Sequence, residues 1–111
     1  MTSIDVLIAD AGGVVITPSG RLTVVTAPQL RTVVAEQIAL GHRLIVVDLS
    51  STEFVDSSGL GALVSCLKSA RQAGGDLRIV APTEQVAMVL KMTNLDRILQ
   101  PRASVADALR D

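Results

Sequence analysis

Tryptophan and tyrosine are absent from this chain of 111 residues, and Phe54 is its only aromatic side chain. A surface that grips nucleic acid by stacking bases on aromatic rings is therefore not available. Cysteine is as scarce: Cys66 stands alone, so no intramolecular disulfide can form, and the expected setting is a reducing cytoplasm. With one cysteine and one histidine, His42, a closed zinc site lacks ligands and no metal is expected. Charge of one sign is also lacking. The formal net charge is −1, which gives no electrostatic reason to expect nucleic acid or an anionic membrane as partner. No apolar run reaches the roughly 18 residues of a membrane span. Met1-Thr2-Ser3-Ile4-Asp5 lacks the basic and then apolar regions of a signal peptide.

What the chain does have is apolar substance, with 49% hydrophobic against 19% charged residues. That is ample for a packed core, and the length suits a single domain over residues 1–111. Ile4 to Ala9 and Val14 to Thr17, joined by Asp10-Ala11-Gly12-Gly13, read as a β-hairpin. Pro18 has no N–H to donate, so the second strand should end, bulge or lie at an edge there. Thr26 with Gln29 suggests a capping box, and Pro28 suits a first helical turn. Leu30, Val33, Val34 and Ile38 then share one helical face, and Gly41 can end the helix after Leu40.

The unbroken run Leu44-Ile45-Val46-Val47 predicts an inner strand of a parallel sheet, covered on both faces. A second helix is expected over Leu60 to Ala70 and is stopped by Gly74-Gly75. A strand over Leu77 to Ala81 follows, closed by Pro82. A helix capped by Thr83 presents Val86, Val89 and Leu90 inward and ends near Asn94. A short strand at Ile98-Leu99 and a last helix from Ser104, with Asp107 three residues on, complete the chain. The expected fold is α/β, a mostly parallel mixed sheet with an N-terminal hairpin and about four helices.

The segment with most chemical content is Glu53-Phe54-Val55-Asp56-Ser57-Ser58-Gly59-Leu60-Gly61. It joins the inner strand to the second helix and so should lie at the carboxyl edge of the sheet, where open α/β folds bind ligands and partners. Asp, Ser and Gly before a helix are ordinary capping residues, and composition alone favours that plain reading. The same position is also where the unpaired N–H groups and positive dipole end of a helix would hold a phosphate.

From Phe54 to Gly61 the chain resembles, without gaps, the phosphorylatable loop of STAS domains of the anti-sigma factor antagonist type. Gly20, Leu22, Thr26, Ala27 and Leu30 fit the family's approach to the first helix. Val46-Val47-Asp48-Leu49 fits its inner strand, and Gly74-Gly75 with Leu77 fits a later turn. Met92-Thr93-Asn94-Leu95 looks like its late helix-ending motif, with Asn94 where Gly is more usual. The resemblance implies a partner switch. Unphosphorylated, such a protein binds an anti-sigma factor that is also a serine kinase, and so frees a sigma factor. Phosphorylation of the first serine, here Ser57, breaks the complex, and a PP2C-type phosphatase resets it. Asp56, Ser58 and Gly59 would shape the loop. The partner-binding residues would be Arg21, Thr23, Val24 and Val25, with Leu60 and Gly61. Arg21 and Thr23 stand where the family often has acidic residues, which implies a partner with a more acidic or apolar face. STAS domains also serve as unphosphorylated structural subunits of stressosomes or lipid-transport ABC complexes, and that alternative remains.

Enzyme readings have little support. His42 is expected at the opposite end of the inner strand from Ser57, so no Ser-His-Asp triad can be named. Gly59-Leu60-Gly61 lacks the third glycine of a dinucleotide fingerprint, because position 64 is Val64, and no cofactor is expected. Cys66 reads as a core residue, Met88 and Met92 as core or groove packing, and Lys68, Arg71 and Asp76 as a solvated charged face.

Overall fold

The computed structural model describes residues 3–9 and 13–110. Strand β1 (Ser3–Ile8) pairs antiparallel with β2 (Gly13–Leu22), and the Ala9 N–H donates to the Gly13 carbonyl at 2.9 Å to close the hairpin. The predicted turn residues Asp10, Ala11 and Gly12 lie outside the described residues. Helix α1 (Ala27–Ala39) leads to β3 (Leu44–Asp48) and then β4 (Thr52–Val55). Helix α2 (Ser57–Gln72), β5 (Asp76–Val80), α3 (Glu84–Met92), α4 (Asp96–Leu99) and α5 (Val105–Arg110) follow. The sheet has five strands, in the order β1-β2-β3-β5, with β4 paired to β2. All pairings but the hairpin are parallel.

Strand β3 confirms what its unbroken apolar run implied. Ile45, Val46 and Val47 are fully buried between β2 and β5. Ile45 and Val47 face the larger core, with Leu30 and Val34 of α1, Leu63 and Leu67 of α2 and Leu90 of α3. Val46 faces the other side, where Val15, Val80 and Ala108 of α5 form a smaller core. Helices α1 to α3, with Leu99 of α4, therefore cover one face of the sheet, and α5 covers the other.

Several expectations are corrected. Strand β2 does not end at Pro18, although Pro18 is paired on the β1 side alone, as an edge position would be. It runs on to Leu22, handing its pairing from β3 (Gly13 to Ile16) to β4 (Gly20 to Leu22), with a register shift at Gly20/Arg21. Gly20 takes φ of 89° there, a conformation that glycine adopts without strain. Neither predicted threonine cap forms. The Thr26 hydroxyl accepts from the Thr23 N–H at 2.8 Å and donates to the Arg21 carbonyl at 2.7 Å. The Thr83 hydroxyl donates instead to the Thr52 carbonyl at 2.8 Å. Ile98-Leu99 is not a strand but part of α4. The strand-like contact in that region is a single bridge between Val80 and Arg102. By contrast, Gly41 and Asn94 do take the left-handed conformation after their helices, with φ of 94° and 61°. The Ser104 hydroxyl does cap α5, accepting from the Asp107 N–H at 3.2 Å.

Candidate functional site

Strand β4 delivers the Asp56 to Gly59 loop to the carboxyl edge of the sheet. Its register on β2 sets Phe54 beside Arg21 and Val55 beside Leu22. The Arg21 guanidinium lies 4.3 Å from the centre of the Phe54 ring, an attraction of about 0.5–1 kcal/mol at an exposed site. Buried polar groups hold β4 from both sides. The Thr52 hydroxyl donates to the Pro18 carbonyl at 2.8 Å, and the Val55 N–H donates to Gln85 Oε1 at 3.2 Å. The sequence reading missed β4, Thr52 and Gln85, because these bonds join residues about thirty positions apart and leave no local pattern.

Asp56 is the N-cap of α2. One carboxylate oxygen accepts from the Gly59 N–H at 2.9 Å, and the other accepts from the Val24 N–H at 3.3 Å. The second bond, together with the Asp56 N–H donating to the Leu22 carbonyl at 3.3 Å, ties the α2 start to the turn after β2. The structure thus brings together two predicted groups, residues 21–25 and residues 56–61, that are distant in sequence. On that turn Thr23 is half-buried, while Val24 and Val25 are 65% and 76% exposed.

The glycines of the loop differ in kind. A Cβ on Gly59 would sit 2.3 Å from the Leu22 carbonyl oxygen and 2.7 Å from a Val55 methyl. Only glycine lets α2 start so close to β2. A Cβ on Gly61 would meet nothing nearer than the Arg31 guanidinium, at 4.0 Å. Glycine inside a helix costs about 0.8–1 kcal/mol relative to alanine, and at Gly61 no internal contact requires it.

Ser57 is the first residue of α2 and is exposed, whereas Ser58 is half-buried. Ser57 lines a groove of about 480 Å³ that follows α2 past Leu60, Gly61 and Val64 to Lys68 and is also lined by Leu95. Leu60 is only 6% exposed. It packs in the core and reaches the surface only through this groove. Lys68 stands apart from the charge cluster predicted for it: Arg71 and Asp76 pair with each other at 3.1 Å, and Lys68 lines the groove. Met88 and Met92 are not core residues but are 56% and 76% exposed on α3.

His42 lies in the turn before β3, at the amino edge of the parallel strands, so it offers no base to Ser57. Cys66 is buried on α2. Burial pushes its thiol up to about 11, against a partial lowering by the Arg31 guanidinium. It is therefore protonated and unreactive at neutral pH. Among the described residues no group of three His, Cys, Asp or Glu side chains could hold a metal ion. No described helix is long and apolar enough to cross a membrane.

An exposed serine on an aspartate-capped helix, beside an apolar turn and a groove, is what this small α/β domain presents at the carboxyl edge of its sheet. The chain belongs to the STAS domain family, whose profile matches residues 5–108. The anti-sigma-B factor antagonist of Staphylococcus aureus is 31% identical over 80 residues, covering 72% of this chain and 74% of that protein. The crystal structure of TM1081 from Thermotoga maritima is 33% identical and aligns with a TM-score of 0.87 over 96% of this chain and 91% of that one. An anti-sigma factor antagonist from Mycobacterium paratuberculosis is 28% identical, with a TM-score of 0.86 over 98% of this chain and 92% of that one.

Proposed function

We propose that this protein is an anti-sigma factor antagonist whose binding is switched by phosphorylation of Ser57. In its unphosphorylated form it binds an anti-sigma factor with serine kinase activity and so frees a sigma factor. Phosphorylation ends the complex, and a PP2C-type phosphatase restores the binding form. The observation that carries this reading is the setting of Ser57. Its side chain is exposed at the first position of a 16-residue helix, one residue after a capping aspartate whose own oxygens are already engaged.

The physical consequences follow from that setting. A phosphoryl group adds roughly −1.5 to −2 charge. In the free protein the N–H groups at the start of α2 would stabilise it. Against a closely fitted partner the same group, beside the Asp56 carboxylate, must be desolvated and is repelled. Phosphorylation therefore leaves the fold intact and weakens the complex. The exposed Val24 and Val25, fixed to Asp56 through the Val24 N–H, supply apolar contact area next to the switch. Arg21 suits a partner with an acidic or apolar face. The protein acts by binding, and no catalytic group is assigned.

The test is a titration of wild type, Ser57→Ala and Ser57→Asp against each serine-kinase anti-sigma factor encoded in the source genome. Wild type and Ser57→Ala should bind one of them alike, and Ser57→Asp should bind at least tenfold more weakly with an unchanged circular dichroism spectrum. Equal binding by all three would refute the switch. Serines that stay unmodified in cells under every condition, with an ATPase co-purifying, would point to a constitutive structural subunit instead.

A further inference from the structure

We infer that the partner lays an acidic helical segment along the groove beside α2, crossing closest to α2 at Gly61 and pairing a carboxylate with Lys68. This rests on the reading that the chain docks a protein at its Ser57 face, and it states what that protein must present. The first ground is Gly61 itself. Gly59 is demanded by the Leu22 carbonyl, but a Cβ on Gly61 would make only an ordinary contact, 4.0 Å from the Arg31 guanidinium, and Gly61 is not among the residues with positive φ. Glycine there costs helix propensity relative to alanine, and neither a positive φ nor a close internal contact requires it. The missing side chain lets another backbone come close.

The second ground is the shape of the groove. It runs along α2 from Ser57 to Lys68, a rise of about 16 Å, or three turns of helix. Its lining is apolar at Leu60, Val64 and Leu95, the pattern met by an amphipathic helix with anchors one turn apart. The third ground is charge. Among the described residues Lys68 is the one ionisable residue lining the groove, and the Arg31 guanidinium stands beside Gly61. Neither takes part in an ion pair among the described residues. Among the described residues no carboxylate lines the groove to repel an acidic segment. The nearest one on this helix, Asp56, is held by two backbone N–H groups.

Calorimetric titration of the anti-sigma factor that binds wild type, against Gly61→Ala, Lys68→Glu and Ser57→Asp, tests this with thermal melts of each variant. Gly61→Ala should melt a few degrees above wild type yet bind at least tenfold more weakly. Lys68→Glu should melt like wild type and lose at least tenfold in binding, and a lysine replacing the facing carboxylate of the partner should restore it. Binding by Gly61→Ala and Lys68→Glu within twofold of wild type, while Ser57→Asp fails to bind, would overturn the groove and leave the switch standing. A lowered melting temperature for Gly61→Ala would overturn the claim that Gly61 serves an outside contact. If wild type itself binds no such partner, the switch and the groove fall together.

Discussion

The two carboxylate oxygens of Asp56 are each committed to a backbone N–H, one within the first turn of α2 and one in the turn after β2. Truncation to alanine therefore removes a helix cap and also a tie between segments thirty-two residues apart in sequence. Asp56→Ala should lower stability by about 1–2 kcal/mol, seen as an earlier midpoint in urea, while Asp56→Asn, which keeps one acceptor, should lose less. Identical midpoints for the three proteins would mean that neither bond matters to the fold. Cys66 gives a pH signature at the same scale. Its folded thiol is raised from 9.0 to about 11, chiefly by burial. Folding thus favours the protonated thiol. The contribution is complete below pH 9 and is lost as pH rises towards 11, because the unfolded thiol ionises first. Wild type should lose stability across that window relative to Cys66→Ala, measured by urea melts at pH 8 and pH 10.5. Parallel pH profiles for the two would count against this burial effect.

At the level of elements, what could be read in the sequence was whatever rests on local periodicity. The run at Leu44 to Val47 named the central strand because four consecutive apolar residues need cover on both faces, and the structure gives Val46 to the smaller core and its neighbours to the larger. The capping residues before α2 were legible for a similar reason, because an aspartate cap acts within three residues, although the helix begins at Ser57 and not at the expected Leu60. Strand β4 was not legible. Thr52-Glu53-Phe54-Val55 is short, and it becomes a strand only because β2 passes Pro18, shifts register at Gly20 and offers it an edge. The two threonine caps failed for the converse reason. Thr26 and Thr83 have the right residue type at the right place, but each hydroxyl is aimed at a carbonyl outside its helix, to which it donates, and its oxygen accepts from no helix N–H. The short strand expected at Ile98-Leu99 does not form, because the backbone turns through Asn94 into a single helical turn that buries Leu99. Of the candidate site, the loop was legible and its surroundings were not. Lys68 and Leu95 enter the groove only when α2 and the α3–α4 connection are packed together.

For the molecule as a whole, the sheet is covered unequally. One face carries four helices, α1 to α4, and the larger core, and the other depends on a six-residue helix near the C-terminus. Helix α5 sets Ala108 over Val15, Val46 and Val80, with Val105 and Leu109 packed around them, and the Arg78 guanidinium donates to the Ala108 carbonyl. A six-residue helix has little intrinsic stability, so it is held there by that apolar contact. The contact in turn keeps the second face of the central strands from water. Removing residues 104–111 would uncover three valines that are now no more than 6% exposed. At about 1.5–3 kcal/mol for each fully buried side chain, an upper bound here because the exposure would be partial, the loss is comparable with the entire 5–15 kcal/mol stability of an ordinary domain. The chain ending at Ala103 should therefore be molten or unfolded at 37 °C, binding a hydrophobic dye and giving no cooperative melt, although every residue of the Ser57 loop and the groove is retained. A cooperative melt within a few degrees of the full chain would show that the larger core holds the sheet alone. In that case α5 would be dispensable to the fold, and the burial of Val46 and Val80 would have to be credited to some other contact.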